Sequence, residues 1–165
     1  MINNTHVSQY IPPGEVWGVG GVWSEAAGSV AGTIVRRKAA AAETTVVTIP
    51  IPILSNSVAL QGAKLASIEV DYETSASALT SITAVVRKVT RGADTAVAVV
   101  SAPAFTQFPT AVNAATLAKH KLVATLTVPA WVGNNEYYTL ELTCVCAIGS
   151  VLEVLGAVVN YTFRM

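Results

Sequence analysis

Residues 136–164 read EYYTLELTCVCAIGSVLEVLGAVVNYTFR. Tyr138, Leu140, Leu142, Cys144, Cys146 and Ile148 fall on one side of an extended chain, and Tyr137, Thr139, Glu141, Thr143, Val145 and Ala147 on the other. A period of two is the signature of a β-strand, because successive side chains point to opposite faces. Gly149-Ser150 reads as a two-residue hairpin turn with glycine first, as in type II′. The returning strand runs from Val151 to about Arg164, with Gly156 as the natural place for a bulge. That strand is apolar on both faces: Leu152, Val154 and Val158 on one, Val151, Leu155, Val159, Tyr161 and Phe163 on the other. A strand in a half-solvated sheet shows one polar face. The spacing therefore predicts that the outer face is covered, by an arm of the same chain or by a neighbouring subunit, with Leu155, Val159 and Tyr161 as contacts.

The alternation continues upstream. His120, Leu122, Ala124, Leu126 and Val128 alternate with Lys119, Lys121, Val123, Thr125 and Thr127. Ile82, Ala84 and Val86 alternate with Thr83, Val85 and Arg87; Ile68, Val70 and Tyr72 alternate with Glu69, Asp71 and Glu73. Thr74 to Ala78 has the length of a hairpin connection, and Thr95 to Val100 forms a further short strand. Val47, Ile49, Ile51 and Ile53 share one face of an earlier strand. Pro50 and Pro52 share the other, which predicts an edge position, since proline donates nothing to a ladder. Seven or eight short antiparallel strands without a long helix make an all-β chain, a β-sandwich of jelly-roll type.

Residues 1–43 differ. Pro12-Pro13 precedes a glycine-dense stretch in which Trp17 and Trp23 flank Gly18-Val19-Gly20-Gly21-Val22. Glycine weakens regular structure, while the indoles seek burial. The segment reads as an extended N-terminal arm lying on another surface, with Trp17 and Trp23 as anchors. Arg36-Arg37-Lys38 and the alanines after it read as a linker. Two parts result: an arm and linker over 1–43, and a β-sandwich over 44–165.

Composition points the same way. Hydrophobic residues make up 52% of the chain and charged residues 12%, with a mean hydropathy of +0.53, against roughly 25% charged in an average soluble domain. Ten basic and ten acidic residues cancel. Zero net charge argues against nucleic-acid binding and favours self-association. The uncharged stretches 44–63 and 95–118 are broken by prolines and polar residues, so neither reads as a membrane span. The N-terminus lacks the pattern of a signal peptide, so the chain is expected to be soluble and made in the cytoplasm.

No catalytic signature stands out, and neither a cofactor nor a metal is expected. Glu69, Asp71 and Glu73 on one strand face could hold Ca²⁺, but calcium loops curl around their ion, and a solvated face that discourages edge pairing is the plainer reading. Cys144 and Cys146, two apart on a strand, read as reduced thiols packed as small hydrophobes. His120 reads as a core or strand-end histidine rather than a base, and no serine or cysteine lies in a nucleophile motif. Trp131, in the loop Pro129 to Gly133, and Tyr137 raise a carbohydrate-binding alternative, because exposed rings stack on sugars; the plainer reading of Trp131 is a cap on the core.

The run Glu136-Tyr137-Tyr138-Thr139-Leu140-Glu141-Leu142, the Gly149-Ser150 turn and Gly156-Ala157-Val158-Val159-Asn160-Tyr161-Thr162, behind a Gly/Trp-rich arm, resemble jelly-roll structural proteins of tailed bacteriophages, the decoration (cement) and fibre-base class. The resemblance spans about residues 44–165 and is strongest over 119–165. It implies a non-enzymatic virion protein: a homotrimer on a capsid or tail lattice that stabilises the shell and reaches the major capsid protein or another virion protein through its arm. It carries over no active-site residues. The alternative is a carbohydrate- or receptor-binding module of a phage fibre, with Trp131 and Tyr137 against the glycan.

Overall fold

Alternating side chains and β-branched residues give a chain built almost wholly of strands. The computed structural model describes residues 4–27, 33–53, 62–92, 99–108 and 117–164. In chain order the strands are β1 (Asn4–Ile11), β2 (Trp17–Val19), β3 (Trp23–Ala27), β4 (Thr33–Lys38), β5 (Glu43–Ile51), β6 (Ala63–Ser75), β7 (Leu79–Thr90), β8 (Val99–Ser101), β9 (Phe105–Phe108), β10 (Lys119–Trp131), β11 (Glu136–Cys146) and β12 (Val151–Arg164), with one short 3₁₀ turn at Pro13–Glu15. Among the described residues no helix is long and apolar enough to cross a membrane.

The strands form two antiparallel sheets. One runs β3-β4-β12-β6-β10-β9, with β1 also on β12; the other runs β2-β5-β11-β7-β8. The inner orders β4-β12-β6-β10 and β5-β11-β7-β8 interleave as in a jelly roll. Long strands that follow one another therefore lie in opposite sheets, which corrects two sequence expectations. Residues 74–78 are not a hairpin but a corner from one sheet to the other. Gly149-Ser150 is likewise no hairpin, since β11 and β12 never pair. The Ser150 N–H donates to the Ala147 carbonyl, so Ile148 and Gly149 are the central residues, and Gly149 takes a φ of +78°. This corner is tied to the β4–β5 corner: the Gly149 N–H donates to the Ala39 carbonyl, and the Ala39 N–H to the Ser150 carbonyl.

Most of the inward positions expected from the alternation form the core; Val128 and Ile148 do not, because a register shift in β10 between Thr125 and Ala130 breaks the alternation at Val128 and Ile148 lies in the turn after β11. Val47, Ile49, Ile68, Val70, Tyr72, Leu122, Ala124, Leu140, Leu142 and Cys144 are fully buried between the sheets. Burial pushes the Cys144 thiol up to about 12, so it is an inert packing group; Cys146 is buried beside it, and the two form no disulfide. Pro50 pairs with Thr139 of β11. Its other edge lies beyond the short β2, which reaches only Val46–Thr48, so the missing N–H breaks no ladder. Residues 95–98 of the expected strand, and residues 109–116 before β10, lie outside the described residues, while Phe105–Phe108 forms a strand, β9, that the side-chain pattern did not announce.

The expected arm is part of the sandwich. β1 pairs along β12 from Asn4↔Arg164 to Ile11↔Ala157, β2 pairs with β5, and β3 with β4. Arg36-Arg37-Lys38 belongs to β4, opposite Glu153, Leu152 and Val151, and is not a linker. Gly18 is a seat for an aromatic ring: a Cβ there would collide with the Trp23 indole. Trp23 packs against the core and donates from Nε1 to the Gly20 carbonyl. Gly18, one of the glycines that made the segment look unstructured, lets a ring lie on the backbone.

The two apolar faces of β12 are also resolved. Leu155 and Gly156 together oppose Asp71, a bulge that shifts the alternation by one residue. Leu152 and Val154 before it, and Ala157, Val159 and Tyr161 after it, all point into the core. Val159, 0% exposed, and Tyr161 therefore pack inside their own subunit, which corrects their assignment as partner contacts. Leu155 remains half-buried on the outer side. Gly156 has a φ of +131°, and a Cβ there would lie 2.6 Å from the Tyr10 hydroxyl. The substitution Gly156→Ala is expected to destabilise the protein by about 2–3 kcal/mol through the strained φ and the clash. Urea unfolding checks this, and Tyr10→Ala in the same chain should return only the clash portion.

Candidate functional site

The outer face of the seven-stranded sheet is the polar side of β1, β12, β6 and β10. Its centre is a chain of hydrogen bonds. The Ser8 hydroxyl donates to Asn160 Oδ1 at 2.6 Å, and Asn160 Nδ2 donates to Ser67 Oγ at 3.2 Å and to Glu69 Oε1 at 2.9 Å. Glu69 Oε2 accepts from Lys121 Nζ at 3.1 Å, and Asp71 lies 3.9 Å from the same ammonium. Each group holds the next, so the face offers fixed donors and acceptors rather than loose side chains. The Lys121 ammonium, then the Asn160 amide, hold the Glu69 carboxyl below its usual range. Among the described residues no group of His, Cys, Asp or Glu is arranged to hold a metal.

Two aromatic residues flank this network. Tyr10, on β1, lies across the bulge and donates its hydroxyl to the Leu155 carbonyl at 3.1 Å while its ring stays exposed. A depression of about 470 Å³ opens beside it, lined by Tyr10, Leu155, Asp71, Lys119, His120 and Lys121. His120 is half-buried against the Tyr72 ring, with centroids 5.2 Å apart. At the opposite corner Trp131 closes β10. It pairs with Lys64, which pairs with Thr162, which pairs with His6. Trp131 is 45% exposed, so it does not cap the core, and Val132 beside it fills that place. Lys64 Nζ stands 5.6 Å from the centroid of the indole, within cation–π range.

Tyr137 is exposed as well, but on the other sheet. It pairs with Val89 on the outer face of β11, beside a depression of about 300 Å³ that includes Arg91, Asn134 and Asn135. Trp131 and Tyr137 thus sit on opposite faces and form no common platform. Trp17 lies on the outer face of β2 with Val19, and both are exposed, as is Val22 after them. Tyr10 and Asn160 escaped the sequence reading. Tyr10 stood in the expected arm, and Asn160 was one polar residue in a strand read as two-faced.

No protein-family model and no curated relative match the chain. Solved structures with a similar course include the carbohydrate-binding module TmCBM61 in complex with β-1,4-galactotriose, at a TM-score of 0.42 and 8% identity over 97% of this chain and 88% of that one. A family 11 carbohydrate-binding module from Clostridium thermocellum, in complex with a β-1,3-1,4-mixed-linked tetrasaccharide, has a TM-score of 0.37 and 7% identity over 95% and 88%. The enzymatically active domain of tailspike protein 4 of bacteriophage CBA120 has 0.36 and 6% over 96% of this chain and 19% of that one. A likeness this distant carries no residue and no ligand across.

The Glu69 shift has a consequence for stability. A carboxylate whose folded pKa is lowered stabilises the fold above its ordinary pKa, near 4.5, and loses that contribution as pH falls through the lowered value. Wild type is expected to lose more stability than Glu69→Gln between pH 7 and pH 3. The difference should stay under about 1 kcal/mol, as befits a partly exposed pair, and urea midpoints at the two pH values measure it.

Proposed function

We propose that this jelly roll is a non-enzymatic binding module that takes a carbohydrate on the outer face of its seven-stranded sheet. A sugar has two kinds of surface: ring C–H groups that stack on aromatic faces, and hydroxyls that need fixed hydrogen-bonding partners. The observation that carries the reading is their combination on one face, a connected network of Ser8, Asn160, Ser67, Glu69 and Lys121 between the exposed rings of Trp131 and Tyr10. The depression beside Tyr10, about 470 Å³, is of the size that small ligands occupy. Trp131 anchors the ligand and Asn160 and Glu69 read its hydroxyls, while Tyr137, on the other face, plays no part. Replacement of Trp131 by alanine should weaken glycan binding about tenfold or more, as loss of a stacking anchor does. A glycan array followed by calorimetry measures it, and a wild-type protein that binds no glycan would sink the reading.

A second reading concerns assembly. Trp17, 61% exposed, and Val19 on the short edge strand β2, with Val22 after it, form an apolar strip. Such strips mark contacts between proteins, and this one supports an oligomer, as in a phage fibre or shell. Light scattering at micromolar concentration is expected to give a trimer mass for the wild type and a monomer mass for Trp17→Asp. A monodisperse wild-type monomer would remove the oligomer.

A further inference from the structure

The row Trp131–Lys64–Thr162–His6 contains a cation held by an aromatic ring instead of a carboxylate. Lys88 is paired with Glu136, and Lys121 with Glu69 and Asp71. Lys64 makes no ion pair among the described residues, and its ammonium rests 5.6 Å from the Trp131 ring centroid. Its register partners, Trp131 on β10 and Thr162 on β12, are both uncharged.

We propose that the Trp131–Lys64 pair selects acidic carbohydrates, those carrying a uronic carboxylate or a sulfate, over neutral ones. The inference rests on the carbohydrate reading above. A pyranose that stacks on the ring face beneath Lys64 must displace the ammonium, which forfeits the cation–π contact. A neutral sugar returns only hydroxyl contacts to the displaced group. An acidic sugar returns a charge-assisted hydrogen bond, about twice as strong as a neutral one. The lysine stem is long and flexible, so the ammonium follows the ligand without movement of the backbone. The same residue therefore penalises one class of sugar and rewards the other.

The test is an array of matched neutral, uronic and sulfated oligosaccharides on the full chain, followed by calorimetry of Lys64→Gln and Trp131→Ala against the best acidic ligand and its neutral counterpart. Wild type is expected to favour the acidic member about tenfold, and added salt should narrow that margin. Lys64→Gln should bring the two within about twofold by weakening the acidic ligand while the neutral one binds as well or better. Trp131→Ala should weaken both. Both positions are on the surface, and unchanged thermal melts confirm that the variants fold. Wild-type binding confined to neutral sugars, or an acid preference that Lys64→Gln leaves intact, overturns the selection but keeps the carbohydrate reading. No binding to any member overturns both.

Discussion

The arrangement of the larger sheet turns on one constraint: the bulge at Leu155–Gly156 of β12, across which the Tyr10 hydroxyl donates to the Leu155 carbonyl. β12 borders β6 along one edge and divides the other between two strands. Val151 to Val154 pair with β4, and Ala157 to Arg164 pair with β1. The bulge lies at the junction and resets the alternation, so both halves of the strand send their large side chains inward. A side chain at residue 156 would collide with Tyr10 and would have to adopt a φ that L-residues avoid. Glycine, bulge and tyrosine are thus one device, made by residues about 145 positions apart in the chain.

The same device shapes the candidate site. Tyr10 bonds through its hydroxyl to the bulge, and its ring stays exposed as one wall of the depression. Because β1 lies beside the second half of β12, Ser8 meets Asn160, and Asn160 passes the contact to Ser67 and Glu69. An arm docked on another molecule would leave Asn160 without Ser8 and the face without Tyr10. The polar network and the closure of the sheet depend on the same strand.

The apolar excess of the chain divides differently from its first appearance. The bulge places the surplus of β12 in the core, and Trp23 is seated on Gly18. Among the large apolar side chains that stay outside, Trp131 and Tyr10 border a polar face, while Trp17, Val19 and Val22 line a sheet edge. Rings beside fixed hydrogen-bonding groups suit a small polar ligand, whereas an apolar strip on an edge strand, with no polar network around it, suits another protein.

By itself the sequence determined the long strands β5, β6, β7, β10, β11 and β12, the inward residues of most of them and the sandwich class. These follow from side-chain period, a local property that survives any arrangement of the sheets. It also marked Trp131 as a residue of interest. Only the tertiary structure decided which strands pair. A corner between sheets and a hairpin use the same few turn residues, so 74–78 and Gly149-Ser150 read alike in either role. It decided that the glycine-rich N-terminus forms strands, because β1 and β2 take their hydrogen bonds from β12 and β5, which are distant in sequence. It also decided that Trp131 shares a face with Lys64 and Asn160 and that Tyr137 does not, since register across four strands has no counterpart in linear spacing.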